Sequence, residues 1–190
     1  IDYNSSGAGP QLVVFYAGND GMLRAINGER TAAFGSSPAV PAGAEIWSFV
    51  PPEFFPSIKL LRDNDEVVRF PASGANAGIG GISKPYGMDG VLTTYEGDTD
   101  GDDTIDERWL FAGMRRGGRA IYAFDVTNVT APSLKWKKGC DAAGTCVDAD
   151  YADIGQTWSP ATVTFAEGHD TGDSPLLIMG GGYDDCEDVD

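Results

Sequence analysis

Between positions 96 and 114 the chain reads EGDTDGDDTIDERWLFAGM, with Asp98, Asp100, Asp102, Asp103 and Asp106 crowded together just before an apolar run. Ionised carboxylates are hard, acceptor-only oxygen donors. At alternate positions of a tightly turning backbone they converge on one point, where their repulsion opposes folding unless a divalent cation neutralises it. Asp98, Asp100, Asp102 and Asp106 fall at positions one, three, five and nine of a calcium loop, and the Thr104 carbonyl falls at position seven. A solvated polar turn needs no such spacing, and an all-oxygen ligand set suits calcium better than magnesium or zinc. Position six is Asp103 instead of Gly, although Asp tolerates left-handed backbone better than most residues. Position twelve is Trp109, so the bidentate Glu of a helical EF-hand is absent and the spacing predicts a strand-following loop of lower coordination.

The charge balance agrees with a cation as counterpart. Thirteen basic against twenty-nine acidic residues give a net charge of -16, which argues against nucleic acid or anionic membrane as the main partner. With 42% hydrophobic residues in 190, the chain can bury a core of one domain or a large piece of one. No run approaches the ~20 apolar residues of a transmembrane helix. The first residues, IDYNSSGAGPQ, contain neither a basic n-region nor an apolar h-region, so export is not legible there.

Other reactive residue types are sparse. Cys140 and Cys146 flank a short Gly-containing loop with no histidine or second Cys pair nearby, which predicts a hairpin-tip disulfide and an oxidising compartment. Cys186 is left odd, which predicts a partner outside this chain. The single histidine, His169, sits between Glu167 and Asp170 in AEGHDTGD and reads as a solvated turn residue. No G-x-S-x-G elbow or catalytic Cys/His pattern is present, so the chain reads as a non-enzyme.

The elements that must position these residues are strands. Short β-branched and aromatic runs closed by Gly, Asn and Asp occur at 12–21, 90–97, 108–114, 119–126, 161–168 and 176–185, the punctuation of an antiparallel all-β fold. One helix is predicted at PEFFPSIKLLRDN, with Pro56 in its first turn and Phe54, Phe55, Ile58 and Leu61 near a 3.6 period. Segment 72–83 reads as a loop without a P-loop ending. The segments AGNDGMLRAIN, AGMRRGGRAIYAFDV and LLIMGGGYDD share one grammar, giving blade-like repeats at roughly 10–50, 85–137 and 154–190. A small β-meander cannot bury both its faces alone, and radial stacking solves that problem, so the repeats predict about three blades of a β-propeller. Propellers close with roughly four to eight blades, which makes 1–190 an expected fragment of one larger propeller domain.

VFYAGNDGMLRAIN, EIWSFVPPEFFPSIKLLRDN, YGMDGVLTTYEGDTDGDDTID, FAGMRRGGRAIYAFDVTN, IGQTWSPATVTF and IMGGGYDDCED resemble consecutive segments of the C-terminal propeller of the PilC/PilY family. That resemblance implies a type IV pilus assembly and tip-adhesion protein, exported to the cell surface and associated with minor pilins. It implies roles in pilus extension, retraction and attachment, calcium-regulated behaviour in some members, and contact with host or abiotic surfaces through a divergent N-terminal region not contained here. Arg115, Arg116 and Arg119, grouped around a Gly-Gly turn, then either pair with neighbouring carboxylates or form a docking patch for an acidic pilin surface. Trp47, Trp109, Trp136 and Trp158 recur near strand ends and are expected in the wedges between blades. A rival resemblance covers only the blade motif: YAGNDGMLRAIN followed by EIWSFVP is also similar to blades of pyrroloquinoline-quinone dehydrogenases. The groups needed to hold a quinone on the axis are not assembled by this chain.

Overall fold

The computed structural model describes residues 1–3, 11–35, 38–69, 81–141, 145–146, 148–170 and 174–183. Three strands rich in β-branched, aromatic and leucine side chains open the fold: β1 (Val13–Ala17), β2 (Leu23–Asn27) and β3 (Glu45–Phe49). They form an antiparallel sheet in sequence order, with Val13 opposite Asn27 and Leu23 opposite Phe49. Alternation along β2 buries Leu23, Ala25 and Asn27 on one face.

Pro52 then opens a short 3-10 turn that runs into the helix α1 (Phe55–Asp63). Pro56 occupies the first turn, where a missing N–H costs no helical bond, and Asn64 ends the helix in left-handed conformation at φ 49°. The expected apolar stripe is only partly used: Phe54 enters the core, whereas Phe55 and Ile58 stay exposed. Of segment 72–83, read as a loop, residues 72–80 lie outside the described residues, and Ile82–Ser83 forms strand β5, which pairs in parallel with β4 (Val68–Arg69).

The central element is a four-stranded antiparallel meander of β6 (Leu92–Gly97), β7 (Glu107–Gly113), β8 (Arg119–Asp125) and β9 (Ser133–Cys140). A short antiparallel pair, β10 (Thr162–Thr164) and β11 (Leu176–Ile178), follows it. Among the described residues the architecture is therefore all-β with one short helix, and its three- and four-stranded sheets have the meander form of propeller blades.

The main core lies between the first sheet and the meander. Leu23 and Phe54 pack with Leu110, Ala112, Tyr122, Phe124 and Val126, and the Phe49 ring stands edge-on to Phe124 and Tyr122 at 5.0 and 5.6 Å. Such aromatic pairs contribute about 0.5–1.5 kcal/mol beyond their area burial, so the face-to-face arrangement of the two sheets is well specified. Trp47 bridges Phe15 and Phe124 in this interface, as expected of a wedge residue. The opposite face of the meander turns Trp109, Phe111 and Trp136 toward β11, across a cleft of about 620 Å³. Trp158 departs from the wedge expectation and lies 38% exposed at the surface.

Candidate metal centre

The acidic run forms the tip of the β6–β7 hairpin. Gly97 pairs with Glu107 at the end of the ladder, and the Asp106 amide donates to the Gly97 carbonyl at 2.9 Å, so both ends of the loop are clamped by the sheet. Within the loop the carboxylates accept from backbone amides further along. Asp98 accepts from Gly101 at 2.7 Å and Asp103 at 2.8 Å, Asp100 from Asp102 at 3.3 Å, and Asp102 from Thr104 at 2.8 Å. These successive Asx turns curl the backbone around one point. Left-handed backbone occurs at loop positions four and six, Gly101 at φ 79° and Asp103 at φ 64°. Asp103 thus adopts the conformation that glycine supplies in a calcium loop.

Oxygens of Asp98, Asp100 and Asp106 lie within 4.8 Å of one another, all three residues are exposed, and the group can hold a metal ion. Asp102 lies outside this closest set, with its carboxylate turned to the Thr104 amide. Hydrogen bonding tunes the carboxylates for the charged form. The amide of Gly101, with those of Asp103, Asp100 and Asp102, holds the Asp98 carboxyl below its ordinary value against an opposing desolvation. The Thr99 amide and hydroxyl, at 2.9 and 2.8 Å, do the same for Asp106. Ligands held ionised on a clamped loop need little reorganisation to receive a hard cation.

Of the other residues singled out in the sequence, Cys140 and Cys146 are joined in a disulfide that closes the chain after β9. His169 is exposed in a turn. Cys186 lies outside the described residues. The three arginines separate: Arg119 donates to the carbonyls of Ile154 and Ala152 at 2.6 and 2.7 Å, whereas Arg115 and Arg116 stand over the Trp158 ring. Among the described residues none of the three is within ion-pair distance of a carboxylate.

The overall fold recurs in a solved structure. The crystal structure of the Pseudomonas aeruginosa PilY1 C-terminal domain aligns with 90% of this chain at a TM-score of 0.50 and 20% sequence identity. The chain shares the fold of that PilY1 domain. It spans 24% of the PilY1 chain it matches. No family model and no curated protein matches the sequence.

One polar cluster on this PilY1-like frame carries no sequence signature. Glu53, with its side chain 6% exposed, accepts from the Tyr122 hydroxyl and pairs with Lys137. Burial raises the Glu53 carboxyl, but the bonds from Lys137 and Tyr122 outweigh it and leave the carboxyl below its ordinary value. Tyr122 and Lys137 face each other across the β8–β9 ladder, and only the docking of the 3-10 turn onto these strands brings the distant Glu53 to them.

Proposed function

We propose that this chain is part of a type IV pilus-associated β-propeller that works by binding and by metal-ordered structure, not by catalysis. Asp98, Asp100 and Asp106, with Asp102 and the Thr104 carbonyl completing the loop, form its calcium-binding hairpin. The observation that carries the reading is the hairpin tip itself, in which clamped ends, successive Asx turns and left-handed residues at positions four and six draw three carboxylates together on a PilY1-like frame. Calcium orders the loop, and without it the carboxylates repel one another and the tip loosens.

The protein acts at the cell surface or pilus tip, where it contacts minor pilins and supports pilus assembly, retraction and adhesion to host or abiotic surfaces. The Cys140–Cys146 disulfide supports an oxidising, exported location. The test is calorimetric titration of minor pilins into the chain with and without calcium. Tighter pilin binding with calcium supports the reading, and by linkage the pilin must raise calcium affinity by the same factor. Oxidation of alcohols that requires added pyrroloquinoline quinone would overturn it in favour of an enzyme.

A further inference from the structure

The β7–β8 turn, at the opposite end of β7 from the acidic loop, borders a second cleft. This cleft of about 460 Å³ is lined by Tyr86, Arg116, Gln156, Trp158 and Tyr183. We propose that it binds an acidic peptide segment of a partner protein, with Arg116 as the carboxylate-binding group and Arg115 and Lys84 as flanking charges. The proposal is independent of the calcium reading.

Charge provides the first argument. Among the described residues Arg24, Lys59, Arg62, Arg108, Lys137 and Lys138 each have a carboxylate partner, whereas Arg30, Lys84, Arg115, Arg116, Arg119 and Lys135 have none, and of these Arg115 and Arg116 gather over the same Trp158 ring. In a chain with twenty-nine acidic residues, two unpaired guanidiniums side by side leave N–H forks free for an anion. A third cation joins them, since Lys84 Nζ lies 5.1 Å from the Tyr86 ring centre.

The aromatic side chains decide between a peptide and an acidic sugar. Arg115 and Arg116 both stand over Trp158, at 5.7 and 5.4 Å, and Arg116 also lies 5.3 Å from the Tyr86 ring and donates to its hydroxyl at 3.2 Å. A sugar would need those ring faces for stacking, and the guanidiniums already occupy them. A carboxylate needs only the outward N–H edges that this stacking holds in place.

The frame is fixed by bonds from other segments. Thr157 Oγ1 accepts from the Met114 amide at 2.7 Å, and the Thr157 carbonyl accepts from Arg115, which sits in left-handed backbone at φ 47°. The Trp158 indole donates to Gln156 at 3.0 Å, and Gln156 exchanges backbone bonds with Tyr183 at 2.7 and 3.0 Å. A non-glycine residue in that conformation persists only where its surroundings enforce it.

The test is fluorescence anisotropy of a labelled octaglutamate peptide with the full chain, followed in parallel by tryptophan emission. Octaglutamate should bind despite the net charge of -16 and weaken with added salt. Arg116→Gln should weaken binding at least about tenfold at an unchanged melting temperature, and Arg116→Lys should recover only part of it because it restores charge without the planar fork. No octaglutamate binding by the wild-type chain, or equal binding by Arg116→Gln, would overturn the proposal. Preferential binding of oligogalacturonate would overturn the peptide in favour of an acidic sugar. The sequence continues from Tyr183 into Asp184, Asp185, Glu187, Asp188 and Asp190. Octaglutamate binding gained only when these five are changed to Asn or Gln would assign the cleft to this chain's own acidic stretch and overturn the external partner.

Discussion

Tyr122 donates its hydroxyl to Glu53 Oε2 at 2.6 Å, and through that bond the segment leaving the first sheet is fastened to the middle of the central meander. Lys137 neutralises the same carboxylate from the neighbouring strand. Tyr122→Phe should cost about 1.5–3 kcal/mol, the range for a hydrogen bond to a charged group. Lys137→Met leaves the buried carboxylate uncompensated and should cost about 3–5 kcal/mol by urea denaturation. Because the Glu53 carboxyl is depressed in the fold, its stabilisation is fully present above the unfolded Glu value of about 4.3 and is lost as pH falls below it. Glu53→Gln should therefore flatten the acid limb of the stability profile, and an unchanged limb would count against the assignment.

The acidic hairpin gives a paired expectation. At calcium a hundredfold above its Kd the chain should gain ~2.7 kcal/mol, or about 5–10 °C in melting temperature. Asp100→Ala removes one of the three convergent carboxylates and should abolish the increment. Asp103→Gly should keep it, because position six needs left-handed backbone and glycine adopts that freely. Differential scanning fluorimetry with calcium or chelator separates the two, and a loop that tolerates Asp100→Ala but not Asp103→Gly does not work as described.

The Cys140–Cys146 bridge closes a loop with a sequence separation of six, so its chain-entropy contribution should be about 2 kcal/mol. Alkylation of the native protein without reductant, read by intact mass, should label neither cysteine. Reduction should lower stability by that modest amount and leave the meander folded, which far-UV circular dichroism would register.

Gly117 sits where a Cβ would run into the Gly87 carbonyl and reach the Phe54 ring at 3.2 Å. Gly117→Ala should destabilise by several kcal/mol, since backbone and not a flexible side chain must give way. Gly101→Ala meets no neighbour within 4 Å and should cost only the ~1 kcal/mol or more of placing a side chain at positive φ. Comparing the two by thermal melts separates contact from conformation.

Much of this arrangement is legible in the sequence because it is local. Three of the four meander strands, β6, β7 and β8, announce themselves by β-branched and aromatic runs between Gly, Asn and Asp, whereas the lysine-rich β9 has no such run, and the loop positions of Asp98, Asp100 and Asp106 follow from spacing alone. Pro56 in the first helical turn is equally local. What escaped depends on tertiary packing. Glu53 looks like an ordinary helix-start acid until β8 and β9 bring Tyr122 and Lys137 to it. Trp158 has the same local signature as the half-buried Trp47, Trp109 and Trp136, but its segment runs beside the β7–β8 turn, where two arginines cover it. The parallel pair β4–β5 consists of two residues on each side, too short for any periodicity to register.

The close approach of Gly117 to Gly87, and of Gly90 to the Gly113 and Met114 backbone, has a consequence for how this protein can change. At that end of the meander main chain lies against main chain, so nearly every substitution enlarges something that has no room. At the other end of β7 the acidic hairpin projects into solvent from a ladder that already clamps both its ends. Its interior can be lengthened, shortened or exchanged without disturbing the sheets, which makes the 98–106 tip the natural place to graft a foreign binding loop onto this scaffold.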